Sequence, residues 1–416
     1  MEEIYYALNP WWEGKDFKIG ILRELYTHNF QKILKRKQIE VIIGSRRVGK
    51  TTILKQMIKK ALDYGYPAKQ IFYLALDHPQ ISKEPISWHL RNFRKLFMYE
   101  RKRKLLLFLD EVQASPNWEQ ELKSIYDLEN VKIIISGSTA TLIKRQRGRL
   151  TGRQIVTIVY PLSFEEFVNF RKVEIGSDEE YKYEKLLEMY LQIGGYPENV
   201  LFPSDEYLQN LLEDIIARDL VTLYEIRKPG VLKDMLMILA SQVGSRTSFN
   251  KLSNVLGISD DTVKEYIEYF ESAFLIKQME KWSVSFKERI YAQKKIYFLD
   301  TGFKTLLTGK GDIGAKAENV VFTHLLRKKI ECGYFAESER EVDFVTGGFK
   351  SPLPIEVKYD SDFDLNDKRF AGMKLFFKKY PRIKSFIVIS RNKERKIKYN
   401  RTWIKIIPLW KYLLLN

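Results

Sequence analysis

The sequence predicts an α/β protein that is built on a parallel five-stranded sheet and continues into a helical segment and smaller mixed units. From Gln38 to Pro161, short β-rich apolar runs alternate with helical patterns, which is typical of a parallel sheet with helices on both faces. The runs are almost continuously apolar, as in strands that are buried on both sides. After Pro161 the alternation ends and helical periodicity dominates. The five runs begin at Ile39, Gln70, Lys104, Val131 and Gln154.

Composition limits the class of protein. A chain of 416 residues is too long for one core, and 45% hydrophobic with 30% charged residues is typical of a folded, water-soluble protein. The acidic start MEEIYYALNP and the absence of a long apolar stretch predict a cytoplasmic protein without a membrane partner. A single cysteine, Cys332, excludes an internal disulfide. The net charge of +17 is compatible with a nucleic-acid partner and also with a thermophilic source.

A phosphate-binding motif follows the first apolar run. Gly44 to Thr51 match G-x-x-x-x-G-K-[ST] directly after a strand and at the start of a helix. The glycines let the loop curl so that its backbone N–H groups face the phosphates of ATP. Lys50 is expected to neutralise the β- and γ-phosphates, and the Thr51 hydroxyl to coordinate Mg²⁺. The predicted nucleotide-binding residues are Gly44, Ser45, Arg46, Arg47, Val48, Gly49, Lys50, Thr51 and Thr52.

A second apolar run ends in two carboxylates, Asp110 and Glu111. At the carboxyl end of a strand Asp110 is expected to reach the magnesium ion, and Glu111 to orient or deprotonate the attacking water. Ser136 and Ser138, after the run that begins at Val131, either sense the γ-phosphate with a hydroxyl or cap a helix. The sequence therefore predicts a site for nucleotide hydrolysis.

Six segments occur in order along the chain: GSRRVGKTT, LFLDEVQ, SPNWEQELKSIYD, IIISGSTATL, LTGR and YPLSFEEF. Together they resemble the AAA-type ATPases of archaea and bacteria whose ATPase core is joined to a winged helix and a nuclease-like C-terminal domain. The resemblance implies an ASCE strand order, with the Asp110 strand one place removed from the phosphate-loop strand. It also implies that Arg153 reaches the nucleotide of a neighbouring subunit in a homo-oligomer. Otherwise Arg153 is one arginine of a basic run.

With this resemblance the chain divides into five segments: an N-terminal arm (1–37), a P-loop ATPase core (38–162), a helical lid or connector (163–240), a winged helix (241–300) and a PD-(D/E)xK nuclease-like domain (301–416). In the arm, Trp11 and Trp12 either stack on the adenine or pack the arm onto the sheet.

The winged-helix segment has charges of both signs. Its second helix, capped by Ser259, is acidic with a lone Lys264, so its exposed face would repel DNA phosphates. Domain packing or a subunit contact is the alternative role. The basic residues of the following strands are expected to touch a DNA backbone: Lys281, Lys287, Arg289, Lys294 and Lys295.

A carboxylate cluster is predicted near the C-terminus. Alternation along a strand places Glu356 and Lys358 on one face, and a hairpin brings Asp343 beside them. The spacing resembles the PD-(D/E)xK nuclease core, without the proline of its first motif. The resemblance implies that Asp343 and Glu356 bind a second Mg²⁺ or Mn²⁺, that Glu318 supports this metal, and that Lys358 polarises the attacking water. The alternative is an inactive nuclease-like fold.

These features predict an ATP-hydrolysing protein that is linked to DNA binding or processing. The alternative is an ATP-dependent switch that controls assembly or partner binding and carries an inactive nuclease-like domain. A sequence-specific DNA-binding regulator is disfavoured by the acidic second helix of the winged-helix segment.

Overall fold

The computed structural model describes residues 1–138, 150, 152–176, 178–360, 364, 367–399 and 402–415, and of Ser138 it describes the backbone alone. The basic residues Lys144, Arg145, Arg147 and Arg149 lie outside the described residues. The chain forms two compact units, Met1–Val159 and Tyr160–Asn416. The first unit contains one sheet and the second unit contains two, and each unit has buried hydrophobic residues.

A five-stranded sheet forms the centre of the first unit. Its strands lie in the order β2-β3-β4-β1-β5, and all neighbouring strands are parallel. The predicted parallel sheet is therefore confirmed, and β4 separates the phosphate-loop strand β1 from the Asp110 strand β3. The strands are β1 (Ile39–Gly44), β2 (Ile71–Ala75), β3 (Leu105–Asp110), β4 (Val131–Ser138) and β5 (Gln154–Val159).

The N-terminal arm packs on the edge strand β2. The Asn9 side chain makes the two hydrogen bonds that a neighbouring strand would make at this edge. It donates to the Tyr73 carbonyl over 3.0 Å and accepts from the Tyr73 amide over 2.7 Å. The indole N–H groups of Trp11 and Trp12 both donate to the carbonyl of Ile71, over 3.2 and 2.8 Å. Both tryptophans are buried, so their predicted packing role is confirmed. The helices of this unit are α1 (Glu2–Leu8), α2 (Glu24–Thr27), α3 (Phe30–Lys35), α4 (Lys50–Asp63), α5 (Ile86–Leu96) and α6 (Trp118–Leu128).

A buried ion cluster joins β1 and β4 near their amino ends. Glu40 accepts two hydrogen bonds from the Arg36 guanidinium, over 2.6 and 2.8 Å. The Lys132 ammonium donates to the same carboxylate over 3.2 Å and to the backbone carbonyls of Arg36 and Gln38. Burial lowers the pKa of Lys132, and the Glu40 carboxylate opposes this shift. Removing one partner of such a cluster costs about 3–5 kcal/mol, because it leaves a buried charge without a counter-charge.

Helices dominate the first half of the second unit. Where they begin, serine side chains often accept from the backbone, and Ser163 and Glu166 form a reciprocal capping box at α7. None of the helices in the described parts of the chain is long and apolar enough to pass through a bilayer. The helices are α7 (Phe164–Arg171), α8 (Tyr181–Ile193), α9 (Pro197–Leu201), α10 (Asp205–Asp214), α11 (Thr222–Tyr224), α12 (Pro229–Ser241), α13 (Phe249–Leu256), α14 (Asp260–Ser272), α15 (Phe286–Tyr291), α16 (Thr301–Thr308), α17 (Ile313–Arg327), α18 (Ala371–Lys379) and α19 (Leu409–Leu414).

A helix pair and a small sheet form the middle of this unit. The chain turns at Gly257 between α13 and α14, and the Ser259 side chain caps α14 as predicted. An antiparallel sheet in the order β6-β8-β7 follows, from β6 (Arg246–Thr247), β7 (Ile276–Met279) and β8 (Lys294–Phe298). The helix α15 lies between β7 and β8 along the chain.

A mixed six-stranded sheet forms the C-terminal part, in the order β13-β14-β12-β11-β10-β9. One face packs on α18, where Met373 and Phe376 join Phe386 and Ile404 in a single core cluster. The strands are β9 (Gly333–Glu337), β10 (Arg340–Thr346), β11 (Leu353–Lys358), β12 (Ser385–Ser390), β13 (Arg395–Tyr399) and β14 (Thr402–Pro408).

A shielded histidine lies in α17. The His324 ring packs beside the Tyr412 ring of α19, with 5.4 Å between their centroids. Burial, followed by the positive charges of Arg327 and Lys328, lowers the pKa of His324 from 6.5 to about 4. The folded protein therefore holds this ring neutral in a pH range where the unfolded chain takes up a proton.

We expect acid to destabilise the protein partly through His324. Because its folded-state pKa lies below the unfolded value, the stability it contributes is lost as pH falls from about 6.5 to about 4. Thermal unfolding midpoints measured over this range should fall less steeply for His324→Gln than for the unmodified chain. His28→Gln, at an exposed histidine, is the control and should follow the unmodified chain. Parallel curves for all three proteins would contradict the assignment.

Candidate active site

The predicted phosphate loop joins β1 to α4. Gly49 caps the helix at φ 100, and Arg47 also lies in the left-handed region at φ 56. Two such residues so close together curl the backbone, and the Val48 side chain is buried beneath the curl. Arg46 is half-buried and Arg47 exposed, whereas Thr51 and Thr52 are half-buried in the first turn of the helix. The segment thus has the local geometry that its motif predicts.

Lys50 lies inside this loop. Its side chain is buried, and its ammonium donates to the carbonyls of Gly44 and Ser45 over 3.2 and 2.9 Å. Both carbonyls belong to the loop itself, so they hold the ammonium inside the curl at the start of α4. The ammonium is therefore placed to bind a phosphate oxygen at the helix N-terminus, where backbone N–H groups also favour an anion.

A buried arginine that the sequence did not reveal supports the loop. Arg23 is 2% exposed, and its guanidinium donates to the Val48 carbonyl over 2.9 Å. Gln56 of α4 fixes the segment before it, donating to the carbonyls of Ile19 and Ile21 and accepting from the Arg23 amide. Arg23 belongs to no motif, so its role could be found only from the fold.

Asp110 lies at the carboxyl end of β3 between two hydroxyl donors. Ser136 of β4 donates to one carboxylate oxygen, and Tyr73 of β2 donates to the other over 2.9 Å. Asp110 is 3% exposed. Burial, and then the charge of Asp110, raise the pKa of the Tyr73 phenol, so it remains a donor. This arrangement fixes the carboxylate at the sheet edge from which the phosphate loop also leaves.

Glu111 turns away from the strand in a left-handed conformation, at φ 51. Its amide donates to the Ser136 hydroxyl over 3.3 Å, and its carboxylate accepts from the Gln113 amide. Ser136 thus contacts both acidic residues, and within the described contacts it caps no helix. Ser138 ends β4, and its side chain lies outside the described residues.

Arg153 lies at the opposite end of the sheet. Its carbonyl accepts from the amide of Ile39, where β1 begins, and its guanidinium lies 3.4 Å from the Asp127 carboxylate. A strand of six residues spans roughly 20 Å, so this arginine is remote from the phosphate loop of its own chain. Its reach to a neighbouring nucleotide stays a prediction.

The C-terminal residues Glu318, Asp343, Glu356 and Lys358 do come together. The Lys358 ammonium lies 2.6 Å from the Glu356 carboxylate, and Asp343 accepts from the Val357 amide over 2.8 Å. Burial, together with the nearby charge of Asp343, raises the pKa of Glu356 to about 8. Burial likewise raises the pKa of Glu318 to about 7.

Lys295 fills the space between these carboxylates. It is 1% exposed, and its ammonium lies 3.1 Å from Glu318 and 3.8 Å from Asp343 and also contacts Glu341. The prediction that Lys295 touches a DNA backbone is wrong, because its side chain is buried. Burial alone would lower the pKa of Lys295, but the surrounding carboxylates of Glu318, Asp343 and Glu341 raise it, so the ammonium stays charged.

The cluster does not fit a second metal ion. Among the described residues, no group of three or more His, Cys, Asp or Glu side chains is arranged to hold a metal. The Glu318 carboxylate instead accepts from Lys295 and from the hydroxyl of Tyr297, and one oxygen of Glu356 pairs with Lys358. The other Glu356 oxygen is buried without a hydrogen-bond partner in the part of the chain that the structure describes. Lysine supplies the positive charge that the resemblance assigns to a metal.

Comparison with known families identifies the nucleotide-binding part. Residues 36–168 match the model of the AAA domain. This match supports an ATP-binding domain of the AAA type in this part of the chain. Residues 184–313 and 313–412 match two further models, each described as a domain of unknown function.

Related proteins span most of the chain. A protein of Haemophilus influenzae is 25% identical over 82% of this chain and 88% of its own length. A protein of Methanocaldococcus jannaschii is 28% identical over 91% of this chain and 88% of its own length. Both are described as uncharacterized.

Among solved structures, a Walker-type ATPase of Pyrococcus abyssi is 17% identical, covering 69% of this chain and 96% of its own, with a TM-score of 0.44. AMPPCP-bound DnaA from Aquifex aeolicus is 17% identical, covering 64% of this chain and 92% of its own, with a TM-score of 0.31.

We expect Tyr73→Phe to impair the site without unfolding the protein. The substitution removes one donor to Asp110, the residue predicted to reach Mg²⁺. Losing a hydrogen-bond partner behind a metal ligand typically costs about 10–100-fold in metal affinity or activity. Phosphate release measured as a function of Mg²⁺ concentration should shift toward higher Mg²⁺. Tyr64→Phe, at an exposed tyrosine, is the matched control, and an unchanged Mg²⁺ dependence in Tyr73→Phe would contradict the role.

Proposed function

We propose that this protein is a Mg²⁺-dependent ATPase. The observation that carries the proposal is the fixed Asp110 carboxylate, held by Ser136 and Tyr73 at the sheet edge where the phosphate loop begins. Both oxygens of this carboxylate accept from neutral hydroxyls, which hold it in place without adding a positive charge of their own. Lys50, inside the adjoining loop, supplies the complementary charge for the phosphates.

The residues of the site have separate roles in this proposal. The loop amides and Lys50 bind the β- and γ-phosphates, and the Thr51 hydroxyl with Asp110 holds Mg²⁺ through the oxygen ligands that this ion prefers. When bound, the ion neutralises charge that develops on the transferred phosphoryl group. Glu111 accepts a proton from the attacking water, and Gln113 orients its carboxylate. The Ser136 hydroxyl accepts from the Glu111 amide and donates to the Asp110 carboxylate, so it fixes the position of the proton acceptor relative to the cation site.

Two substitutions should separate binding from hydrolysis. Lys50→Ala removes a charge-assisted contact worth about 1.5–3 kcal/mol, and should weaken ATP binding by about 10–150-fold in calorimetry. Glu111→Gln should keep ATP affinity but lower phosphate release by about 10²–10⁴-fold, because the proton acceptor is lost.

Lys59→Ala, at an exposed position of the same helix α4, is the control for both and should behave as the unmodified chain. Normal turnover in Glu111→Gln would place the proton acceptor elsewhere.

We propose further that ATP turnover is linked to DNA. The net charge of +17 supports an anionic partner, because basic residues that neutralise phosphates release counterions. In this proposal, residues 241–300 are a winged helix and residues 301–416 a nuclease-like domain, and the mixed sheet with carboxylates on β10 and β11 supports the second assignment.

The second candidate function is an ATP-dependent switch with an inert nuclease-like domain. The ion pairs of Lys295 with Glu318 and of Lys358 with Glu356 favour it, because they place lysine ammonium groups where the resemblance implies a cleavage metal. Turnover distinguishes the two functions. ATP hydrolysis that DNA accelerates supports the DNA-linked ATPase, and slow hydrolysis that ignores DNA supports the switch.

We expect no metal-dependent cleavage of DNA. Labelled single-stranded and duplex DNA, incubated with the protein and Mg²⁺ or Mn²⁺, should give the same products with the unmodified chain and with Glu356→Ala. Products that appear with the unmodified chain and vanish with Glu356→Ala would show instead that Lys295 gives way to a metal.

A further inference from the structure

Most of the net positive charge lies in one C-terminal segment. Between Lys374 and Lys411 the sequence has thirteen Lys and Arg residues and one acidic residue, Glu394, in a chain whose net charge is +17. Some of these side chains form surface ion pairs, such as Lys379 with Glu337 and Arg391 with Glu188. The segment as a whole has an excess of positive charge, and no site described above contains it.

The excess is concentrated on one face of the β13–β14 pair. In the antiparallel register Lys396 lies opposite Lys405, and Lys398 lies opposite Trp403. Residues directly opposite each other in such a pair project to the same side of the sheet. All four side chains are exposed, including 43% of Trp403. We call this surface, formed by Lys396, Lys398, Trp403 and Lys405, the basic face.

The other side of the same strands is apolar. Ile397 lies opposite Ile404, which is fully buried in the core under α18. The alternation therefore fixes the orientation of the lysines, because a slip by one residue would bury them. The basic face is a rigid surface, held by the core behind it.

This arrangement is unfavourable for the isolated fold. Like charges directly opposite each other in a sheet destabilise it, as Lys396 and Lys405 do here. In the described portion of the chain, Lys396, Lys398 and Lys405 form no ion pair that offsets the repulsion. The ammonium groups of Lys396 and Lys398 instead lie 4.7 and 5.9 Å from the centre of the Trp403 ring.

Protection of the sheet edge explains only part of the pattern. β13 is an edge strand, and lysines on an edge strand prevent pairing with other chains. β14, however, lies inside the sheet between β13 and β12, so Lys405 and the exposed indole of Trp403 protect no edge. These two residues require another explanation.

We propose that the basic face binds single-stranded nucleic acid. The three lysines contact backbone phosphates, and a base stacks on the Trp403 ring, displacing the lysine stems that cover it. Aromatic rings interleaved with basic residues on a sheet surface bind unpaired strands, because the faces of unpaired bases are open. A duplex hides those faces, so the exposed tryptophan selects the single strand. This inference rests on the proposed link to DNA. It assigns nucleic-acid binding to the basic face and not to the winged-helix segment.

Fluorescence anisotropy of the full chain with labelled oligonucleotides tests the proposal. A single strand and its duplex are titrated at several salt concentrations, without ATP. The face variant combines Lys396→Ala, Lys398→Ala and Lys405→Ala. The matched control, Lys281→Ala with Lys287→Ala and Lys294→Ala, removes the same charge from the winged-helix segment.

The unmodified chain should bind the single strand more tightly than the duplex. In the face variant the plot of log K against log salt should become shallower by about 2, since each phosphate contact with a single strand contributes about 0.7. The winged-helix control should keep the slope of the unmodified chain. Trp403→Ala should weaken single-strand binding by about 5–150-fold, from a stacking contribution of about 1–3 kcal/mol per base, and leave the slope unchanged. Trp403→Phe should retain most of the affinity.

A single charge reversal gives an independent measure. Lys405→Glu replaces repulsion across the β13–β14 pair with attraction, so it should raise the unfolding midpoint while it weakens single-strand binding. If Lys405→Glu raises the unfolding midpoint but leaves the affinity for the single strand unchanged, the basic face does not bind nucleic acid and the proposal is overturned.

Other outcomes also overturn it: equal affinity in the face variant, tighter binding of the duplex, or a loss seen only in the winged-helix control. If the unmodified chain binds no nucleic acid, the basic face and the DNA link both fail. ATP turnover, measured without DNA in the same variants, then still tests the ATPase proposal separately.

Discussion

The nucleotide site depends on the point where β1 ends against β5. A Cβ atom at Gly44 would lie 2.4 Å from the carbonyl oxygen of Val159, so only glycine allows the two strands to stay paired to this position. The chain must then curl, and the left-handed residues Arg47 and Gly49 turn it into α4. Lys50 consequently enters the helix with its ammonium facing back into the loop. The glycines and the lysine of the G-x-x-x-x-G-K-[ST] motif thus occupy the positions that form the tight turn between β1 and α4.

The parts of the site that lie on contiguous motifs could be predicted from the sequence. The loop and the acidic end of β3 are local patterns, and the order of apolar runs placed them at one edge of a parallel sheet. The sequence did not reveal the roles of three residues, Tyr73, Arg23 and Lys295, because each of them contacts a partner far away in the sequence. Tyr73 resembles one more apolar strand residue, and Arg23 stands in no recognisable spacing.

The burial of Lys295 could not be predicted from the sequence. In the sequence it follows Lys294 and looks like a second exposed charge of a basic strand. In β8 the two side chains point to opposite sides, and Lys295 meets the carboxylates of α17 and β10. Gly244, at φ 77, leaves room for this contact, because a Cβ there would approach the Glu318 carboxylate to 2.9 Å. In the second unit, a lysine of β8 therefore neutralises buried carboxylates of α17 and β10, while the basic face remains exposed.

The ion cluster of Arg36, Glu40 and Lys132 has an effect at the other end of its strands. β1 and β4 pair with Glu40 beside Ile134 and Ile42 beside Ser136. If β4 moved by one residue, Lys132 would point to the opposite side of the sheet and Glu40 would lose its buried counter-charge. The cluster therefore fixes the register of β4 against β1. In this register the Ser136 hydroxyl, several residues further along β4, lies within hydrogen-bond distance of Asp110. Charged side chains at one end of these strands therefore help to determine whether the Ser136 hydroxyl reaches Asp110 at the other end.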